Sequence, residues 1–335
     1  MPSADASPSL LCTVIVPAYQ AESTVSACVA ALVAQSAPRA SYEVVVVDDG
    51  STDATADSAR RAGADRVIRI AHGGPAVARN RGVAAALGEI LLFTDADCVP
   101  APDWIERMLE PLRGPQVTGV KGTYRTQQTA LIARLVQLEF EQRYQRLAQR
   151  EAIDFVDGYS AGYRRGMIGQ AGGFDERYAV PSAEDIDLSF RLAEAGCRLV
   201  FAPRAWVRHT HPESLTAYLR RKMRYGYWRA LLYQTHPGKL AGDDHTDPWL
   251  KAQAVLAVAA EGALIVGFVW PPALLIAVGA AAAFAETTVP FCMWAWQRDR
   301  GVALLWPWVT WLRVQLQGIA LGWGWLRHSC RRGRR

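Results

Sequence analysis

Two aspartates separated by one residue, Asp95 and Asp97, directly follow a short apolar run at residues 90–93. Such a run, bounded by Gly88 and polar residues, predicts a buried strand, and in open α/β sheets ligands bind beyond the carboxyl ends of the strands. Because side chains two apart in an extended chain point to the same side, both carboxylates can face one point. Two anions held together need a cation, and hard oxygen ligands beside a phosphate suit Mg²⁺ or Mn²⁺. The spacing fits a turn before Pro100 as well, so both interpretations stay open at this stage.

The chain around this motif alternates between short β-branched runs and helical patterns. Predicted strands lie at residues 13–16, 43–47, 66–70 and 90–93, and predicted helices at residues 22–35, 54–62 and 75–87. Continuously apolar strands that alternate with helices predict an α/β fold, with a mainly parallel central sheet covered on both faces. The second strand also ends on carboxylates, Asp48 and Asp49. The carboxyl ends of the strands therefore carry the candidate chemistry.

The middle of the chain is less regular. Residues 104–150 predict a helix, a strand at 117–124 and a long helix from residue 129 towards 150. The glycine-rich stretch that follows at residues 157–173 predicts either backbone close to a ligand or tight turns. The first turn of the next predicted helix contains acidic residues, which the helix dipole alone would favour at that position. Short strands at residues 199–201 and 205–207 lead to His209 and His211, a pair too common at this spacing to define a metal site by itself.

The last third of the chain has a membrane-like composition. Between residues 252 and 296 only Glu261 and Glu286 are charged, and the apolar segments 252–270 and 271–296 are each long enough to cross or nearly cross about 30 Å of hydrocarbon. Residues 302–326 are also apolar but contain Arg313, and a third crossing would leave the arginine-rich C-terminus outside, against the positive-inside rule. We therefore expect a membrane hairpin followed by an interfacial or re-entrant helix.

Composition excludes several classes of protein. The net charge of +5 is modest, and its excess clusters at the C-terminus, which favours contact with anionic lipid over nucleic acid. The six cysteines are scattered without a Cys-x-x-Cys pair, so neither a zinc site nor a disulfide framework is predicted, and residues 1–11 lack the features of a secretory signal. No Gly-x-Gly-x-x-Gly follows the first strand, which argues against a dinucleotide oxidoreductase.

Six motifs in a fixed order narrow the function. They are Val16-Pro17-Ala18-Tyr19, Val46-Val47-Asp48-Asp49-Gly50-Ser51-Thr52-Asp53, Ala78-Arg79-Asn80-Arg81-Gly82, Asp95-Ala96-Asp97, Gly172-Gly173-Phe174-Asp175-Glu176 and Glu184-Asp185-Ile186-Asp187-Leu188. In order and spacing they resemble family 2 glycosyltransferases with the GT-A fold, of a membrane-anchored bacterial type, over residues 11–233. The resemblance implies inverting transfer of a sugar from a nucleotide-diphosphate donor in a single displacement.

The resemblance also implies roles on the donor side. Asp49 would hold the nucleotide base, with Pro17 and Tyr19 lining the same pocket and Asp48 beside it. Arg79 would contact the donor. These residues form the predicted nucleotide site.

At the reacting end, the resemblance assigns the metal to Asp97, with Asp95 directed towards the ribose or the metal and His209 as a candidate further ligand. Asp185 would be the catalytic base. The chemistry agrees, because a departing diphosphate needs a metal to take its charge and an attacking hydroxyl needs a carboxylate to take its proton.

The acceptor side follows the family pattern less closely. Ser160 stands where many relatives have asparagine, and Arg221 and Arg224 loosely resemble the Gln-x-x-Arg-Trp element of processive synthases. With Glu184, these residues are the acceptor-side candidates. The short membrane hairpin favours single transfer over polymer export.

The predicted function is transfer of one sugar to a hydroxyl of a lipid-linked or membrane-proximal acceptor, in envelope glycan or glycolipid synthesis. The alternatives are a polyprenyl-phosphate glycosyltransferase, which would need no base because phosphate is already ionised, and a non-catalytic nucleotide-sugar-binding membrane protein. We expect a disordered N-terminus at residues 1–10, a glycosyltransferase domain at 11–235, a linker at 236–251 and membrane or interfacial helices at 252–335. The catalytic domain would face the cytoplasm from the inner membrane.

Overall fold

A computed structural model describes residues 11–332 of the chain. The predicted disordered segment at residues 1–10 and the last side chains of the arginine cluster, from Arg331 onward, lie outside the described part. By its contacts the chain divides into two compact units. The first comprises the chain up to Gln127 together with Tyr144–Thr210, and the second comprises Gln128–Arg143 and the chain from His211 onward.

A mixed sheet of eight strands, counted within the described residues, forms the centre of the first unit. The strands are β1 (Cys12–Ala18), β2 (Tyr42–Asp48), β3 (Arg66–Arg69), β4 (Ile90–Phe93), β5 (Val99–Pro100), β6 (Val117–Arg125), β7 (Ala161–Arg164) and β8 (Arg198–Arg208). Their spatial order is β3-β2-β1-β4-β7-β6-β8-β5.

The strand directions change halfway across the sheet. The four strands β3, β2, β1 and β4 are parallel, as their alternation with helices predicts. Strand β7 then pairs antiparallel with both β4 and β6, while β6 and β8 are parallel and β5 is antiparallel to β8. The predicted α/β fold is confirmed, and its parallel part is the half that ends on the carboxylates.

Helices cover the strands of the first unit. They are α1 (Val25–Val33), α2 (Thr55–Arg61), α3 (Pro75–Ala85), α4 (Trp104–Leu112), α6 (Arg165–Gln170) and α7 (Glu184–Glu194), and the long α5 (Leu131–Leu147) has its first part in the second unit. The four valines at residues 44–47 of β2 are all buried, which requires cover on both faces of the sheet because successive side chains point to opposite sides.

Local details differ from the sequence prediction in three places. The two short strands expected at residues 199–201 and 205–207 form the single strand β8, whose register against β6 shifts at two irregularities. The glycine-rich stretch contains the strand β7, which its composition did not predict. The helix predicted at residues 54–62 is shorter, with Ala54 at the N-cap of α2, and Asp53 accepts a hydrogen bond from the Thr55 amide at 3.1 Å.

The rest of the second unit, which follows its part of α5, is helical. It contains α8 (Leu215–Thr235), α9 (Leu250–Gly267), α10 (Ala273–Trp296) and α11 (Arg300–Arg332), in which α8 packs against α11 and α9 against α10. Helices α9 and α10 are long and apolar enough to cross a membrane by length and composition. Helix α8 belongs to this unit although the sequence assigns it to the domain that ends at residue 235, and that domain boundary stays a prediction.

A charged residue of the apolar helix α11, Arg313, has partners inside the second unit. Arg313 is buried and donates to Oε1 of Glu139 at 2.8 Å, and Lys222 donates to the same oxygen at 3.0 Å. Residues 300–332 form one helix, and α11 is not among the candidate membrane crossings within the described residues. An interfacial position of this helix stays a prediction.

Candidate active site

The carboxyl ends of three parallel strands bring the predicted site residues to one edge of the sheet. Ala18 at the end of β1 is paired with Asp48 at the end of β2, and Phe93 at the end of β4 is paired with Ile15 of β1. Tyr19, Asp49 and Asp95 follow at or just beyond these ends. The edge that the sequence predicts to carry the chemistry is therefore formed by the register of β1, β2 and β4.

An aromatic pair lies at the β1–β2 corner of this edge. The rings of Tyr19 and His72 are stacked with their centroids 4.2 Å apart, and Tyr19 is 49% exposed. Nδ1 of His72 lies 2.9 Å from Oδ2 of Asp49 and 3.1 Å from the Asp49 carbonyl oxygen. Because both partners are acceptors, Nδ1 carries the ring proton. The pair offers an exposed flat face, and His72 is a residue that the sequence motifs did not single out.

Asp49 also fixes the loop that leads into α3. Its carboxylate accepts hydrogen bonds from the amides of Gly73 and Gly74 at 2.8 and 2.9 Å. A side chain at Gly74 would place its Cβ 2.7 Å from the Ala179 carbonyl oxygen, and the φ of Gly74 is +94°. Glycine is required here because the backbone is left-handed and closely approached. Asp49 thus couples the end of β2 to the start of α3.

The other predicted residues of the nucleotide site differ in exposure. Asp48 is fully buried, accepts from the Ser51 amide at 3.0 Å and lies 2.9 Å from Nε of Arg69. Asp48 therefore holds the turn after β2, and its contact with the nucleotide stays a prediction. Pro17 is partly exposed on β1, beside Val47 of β2.

Arg79 links the two acidic motifs. From the second turn of α3 its guanidinium donates to Oε1 of Glu184 at 2.7 Å and to Oδ1 of Asp95 at 3.0 Å, and the Arg79 side chain is 5% exposed. Arg79, which is predicted to contact the donor, thus forms two ion pairs within the protein. Through these two ion pairs the buried cation links the Asp95-Ala96-Asp97 motif to the start of α7.

Asp185 lies in the first turn of α7 and keeps part of its surface exposed. Its Oδ2 accepts a hydrogen bond from the Gly158 amide at 2.6 Å, and its Oδ1 accepts one from the Ile186 amide at 2.8 Å. Burial, followed by repulsion from Glu184 and Asp157, raises the pKa of Asp185 to about 7, against the opposing effects of Arg79 and the Gly158 amide. A carboxylate with a pKa near neutrality can take a proton at physiological pH.

Glycine is required beside Asp185. A Cβ at Gly158 would lie 2.9 Å from Nη2 of Arg79 and 3.3 Å from Oδ2 of Asp185. The first of these contacts is shorter than real Cβ atoms make, so the guanidinium would have to shift. The glycine-rich stretch therefore places backbone against the acidic cluster, and its proximity to a ligand stays a prediction.

A buried ion pair supports this backbone. Lys121 on β6 is fully buried, pairs with Asp157 and donates to the Tyr159 hydroxyl at 2.9 Å, and that hydroxyl lies 2.8 Å from the Tyr144 hydroxyl. Asp157 immediately precedes Gly158 in the chain. The sequence gives no sign of Lys121, because a single lysine in a strand pattern normally indicates a solvent-exposed position.

Three potential metal ligands meet where β4 and β8 end. Asp97, Cys98 and His209 each have a ligand atom within 4.8 Å of the others. Strand β5 brings them together by its antiparallel pairing with β8, in which Val99 lies opposite Arg208. The predicted ligands Asp97 and His209 are therefore adjacent, with Oδ1 and Nδ1 3.6 Å apart.

The charge and donors of this cluster fit a divalent cation. Asp97 has half of its side chain exposed while His209 is buried, so the cluster opens to one side. Burial raises the pKa of Asp95, Arg79 opposes this rise and Asp97 adds to it, which is the expected result of two neighbouring carboxylates. A cation bound at Asp97 would relieve that repulsion. Asp95 is paired with Arg79, so Asp97 and His209 are the better placed ligands.

The acceptor-side candidates are divided between the two units. Ser160 is fully buried and accepts from Nε1 of Trp104 at 2.8 Å, so it belongs to the packing beneath the sheet. Glu184 is buried against Arg79. Both residues are buried, and their role on the acceptor side stays a prediction. Arg221 and Arg224 lie on α8 in the second unit, where Arg221 donates to the Tyr225 hydroxyl at 2.7 Å and Arg224 is exposed.

Comparison with known protein families shows which family the chain belongs to. The family model described as "Glycosyltransferase like family 2" matches residues 8–227, about two thirds of the chain. The chain is a family 2 glycosyltransferase. The resemblance carried by the six motifs is thereby confirmed, as is the prediction that the protein is a transferase.

Named relatives of this glycosyltransferase cover the same region. The pre-mycofactocin glycosyltransferase of Mycobacterium tuberculosis is 37% identical over 220 residues, which are 59% of this chain and 44% of the relative. The glycosyltransferase AglE of Haloferax volcanii is 30% identical over 199 residues, 57% of this chain and 64% of the relative. The matched region is thus about half to two thirds of the length of these relatives.

A solved structure resembles the glycosyltransferase over more of its length. The mannosyltransferase PcManGT from Pyrobaculum calidifontis, determined in complex with GDP-Man and Mn²⁺, superposes with a TM-score of 0.60 and 26% sequence identity. The superposition covers 94% of this chain and 86% of that protein, and therefore extends into the C-terminal helices. This likeness confirms the GT-A fold for the glycosyltransferase.

Proposed function

We propose that this glycosyltransferase transfers one sugar, with inversion, from a nucleoside-diphosphate sugar to a hydroxyl group of a lipid-linked or membrane-proximal acceptor. The observation that carries the proposal is Asp185, a partly exposed carboxylate that is fixed by the Gly158 amide at 2.6 Å and has its pKa raised to about 7. A phosphate acceptor is already ionised and would need no such group. A tuned base therefore favours a hydroxyl acceptor over a polyprenyl phosphate.

Asp185 is the proposed general base. Its carboxylate takes the proton of the acceptor hydroxyl while that oxygen forms a bond to the anomeric carbon of the donor sugar, and the bond from this carbon to the diphosphate breaks. Attack opposite the leaving group inverts the configuration. The Gly158 amide holds the base, Arg79 pairs with the neighbouring Glu184, and the partial burial of Asp185 limits the access of water that would compete with the acceptor.

A divalent cation fits the cluster of Asp97 and His209. Bound there, it would neutralise negative charge that develops on the departing diphosphate. The imidazole nitrogen of His209 is a better ligand for Mn²⁺ than for Mg²⁺, which prefers oxygen ligands. The solved mannosyltransferase, which holds Mn²⁺ together with its GDP-Man donor, supports the same preference.

The stacked pair of Tyr19 and His72 is the proposed platform for the nucleotide base. An exposed aromatic face stacks on a base without regard to its identity, so selectivity among nucleotides would come from hydrogen bonds. Asp49 lies directly beside the pair, 2.9 Å from Nδ1 of His72. We assign Asp49 to both tasks, fixing the loop before α3 and facing the nucleoside.

Helices α9 and α10 are the proposed membrane anchor. Each passes the length and composition test for a crossing, and the chain after α10 carries Arg298 and Arg300, as expected for a cytoplasmic loop. The catalytic unit would then face the cytoplasm from the inner membrane, in envelope glycan or glycolipid synthesis. We keep residues 11–235 as the proposed glycosyltransferase domain and 236–251 as the linker.

The test uses the full-length chain in lipid nanodiscs with Mn²⁺ and a panel of UDP- and GDP-sugars. We expect turnover of one donor, an inverted anomeric configuration in the product, and better use of hydroxyl acceptors than of polyprenyl phosphates. Asp97→Ala should abolish turnover, whereas Asp57→Ala, which removes a carboxylate 65% exposed on α2, should not. Retained configuration, turnover in excess chelator or exclusive use of polyprenyl phosphate would each contradict the proposal, and no turnover with any donor would support the non-catalytic alternative.

A further inference from the structure

We propose that Cys98 makes the Asp97 cluster a site for thiophilic divalent cations such as Zn²⁺, Cd²⁺ and Co²⁺, with the Cys98 sulfur as a direct ligand beside Asp97 and His209. This inference rests on the proposed metal site and adds to it a sulfur ligand that the sequence motifs do not contain. It predicts that the ion bound most tightly is a different one from the ion that best serves sugar transfer.

The three ligand atoms form a nearly equilateral triangle. Oδ1 of Asp97 and Nδ1 of His209 are 3.6 Å apart, Sγ of Cys98 is 3.7 Å from that oxygen, and Sγ is 3.9 Å from that nitrogen. Ligands at about 2.0–2.3 Å in a tetrahedral zinc site are separated by about 3.3–3.8 Å. Adjacent ligands around an octahedral Mg²⁺ are only about 3 Å apart. The triangle is therefore closer in size to one face of a tetrahedral zinc site than to one face of an octahedral magnesium site.

Backbone hydrogen bonds and ring stacking position the ligands of this triangle. The His209 amide donates to the Arg125 carbonyl at 2.9 Å, and the His209 ring stacks on Tyr124 with centroids 4.5 Å apart. The Cys98 amide donates to the Asp95 carbonyl at 3.0 Å in the turn after β4. Two of the three ligands are thus placed by backbone hydrogen bonds. A preformed site needs little reorganisation to bind a metal.

The exposure of the three ligands leaves room for one more. Cys98 and His209 are buried, whereas the Asp97 side chain is 49% exposed. Three protein ligands with an open fourth position form the usual arrangement of a catalytic zinc ion, and an incoming ligand would approach from the side of Asp97. The Cys98 thiol would release one proton to solvent when the metal binds.

The mixed donor set distinguishes one cation from another. A thiolate favours Zn²⁺, Cd²⁺ and Co²⁺, whereas Mn²⁺ and Mg²⁺ prefer oxygen. The general order of affinities already places Zn²⁺ above Mn²⁺ at any nitrogen and oxygen site. Tight zinc binding alone would therefore not test the inference, and the part of the affinity that depends on Cys98 is the informative quantity.

The experiment titrates Co²⁺ into the full-length chain in detergent and records near-ultraviolet absorption. We expect a sulfur-to-cobalt charge-transfer band in the wild type, its loss in Cys98→Ser and its retention in Cys28→Ser. Cys28 is the matched control because it is also fully buried near this edge, with its Sγ 3.5 Å from the Asp95 carbonyl oxygen. Circular dichroism and thermal unfolding establish that both variants fold.

Cd²⁺ affinity separates a ligand from a residue that only orients one. Loss of a residue that only orients a ligand typically lowers metal affinity about 10–100-fold. If Cys98 is a direct ligand, Cys98→Ser should therefore lower the Cd²⁺ affinity more than about 100-fold. Mn²⁺ affinity of the same variant, measured by electron paramagnetic resonance, should stay close to that of the wild type. A cobalt band that persists in Cys98→Ser, or its absence from the wild type, would overturn the inference.

A further variant separates this inference from the proposed function. Asp97→Asn should weaken both Mn²⁺ and Co²⁺, because Asp97 belongs to both sites. If Asp97→Asn binds Mn²⁺ as the wild type does, the metal site of the proposed function fails. If Asp97→Asn weakens Mn²⁺ binding but the wild type shows no sulfur-to-cobalt band, Cys98 is not a metal ligand. The metal site formed by Asp97 and His209 is then retained.

Discussion

The amide of Gly158 donates a 2.6 Å hydrogen bond to Oδ2 of Asp185, across 27 residues of sequence. A methyl group at residue 158 would lie 2.9 Å from Nη2 of Arg79 and 3.3 Å from the Asp185 oxygen. The Gly158 backbone thus lies close to both the guanidinium and the carboxylate. Displacement of one of them moves the proposed base.

Gly158→Ala should therefore lower kcat by roughly 10²-fold, the usual effect of a displacement of about 1 Å in an active site. Gly166→Ala is the matched control, since a Cβ at Gly166 meets nothing within 4 Å. Initial rates at saturating donor and acceptor measure both. Equal rates in the two variants would mean that Asp185 does not depend on this contact.

Arg79 should matter for stability as much as for activity. Arg79→Met leaves the buried Glu184 and its neighbour Asp95 without their shared cation, and loss of one partner of a buried ion pair costs about 3–5 kcal/mol. Urea unfolding measures the loss in free energy of unfolding. Arg81→Met, at an exposed position of the same helix, should change it little. A loss equal to that of Arg81→Met would show that the two ion pairs do not form in solution.

Substitution of Tyr19 tests whether the stacked pair of Tyr19 and His72 binds the nucleotide base. Tyr19→Ala should weaken nucleoside-diphosphate binding by about 1–3 kcal/mol, the contribution of stacking one base on an aromatic ring. Tyr19→Phe keeps the ring and should bind as the wild type does. Calorimetric titration with UDP and GDP provides the measurement. If Tyr19→Ala retains full affinity, the stacked pair of Tyr19 and His72 serves only to order the loop before α3.

The raised pKa of Asp185 predicts a particular dependence of stability on pH. The folded state holds this proton up to about pH 7, whereas an unfolded aspartate with a pKa of 3.8 has lost it. Between these values the folded state binds more protons, so the contribution of Asp185 to the free energy of unfolding falls as pH rises. Asp185→Asn lacks this contribution.

Urea unfolding at intervals from pH 4 to pH 8 compares wild type and Asp185→Asn. The difference in unfolding free energy, variant minus wild type, should increase with pH and level off above about pH 7. A difference that is constant over this range would mean that the Asp185 pKa is the same in the folded and unfolded states.

The parts of the site that the sequence predicts are those that strand ends determine. Asp49, Asp95 and Asp97 directly follow apolar runs, and the carboxyl ends of neighbouring parallel strands necessarily meet at one edge. The parallel half of the sheet was predictable for the same reason, because its strands are continuously apolar and alternate with helices.

The parts that the sequence leaves out depend on contacts between distant residues. His209 reaches Asp97 through β5, a strand of only two residues that has no periodic pattern to detect. Lys121 is buried because Asp157 and three aromatic rings surround it, and that environment forms only after folding. Asp48 and Ser160 were assigned from motif position, whereas their burial is set by the packing of β2 and α4.

The most direct measurement of the central claim is the pH dependence of kcat for wild type and Asp185→Asn on a hydroxyl acceptor. If Asp185 is the general base, the wild-type rate should rise with pH and level off above about pH 7, because only the ionised carboxylate accepts the proton. Asp185→Asn should stay folded and keep its donor affinity, lose the rise with pH and turn over roughly 10²–10⁴-fold more slowly. Asp187→Asn on the same turn is the control. A variant at Asp185 that matches the wild type in rate and pH profile would contradict the account.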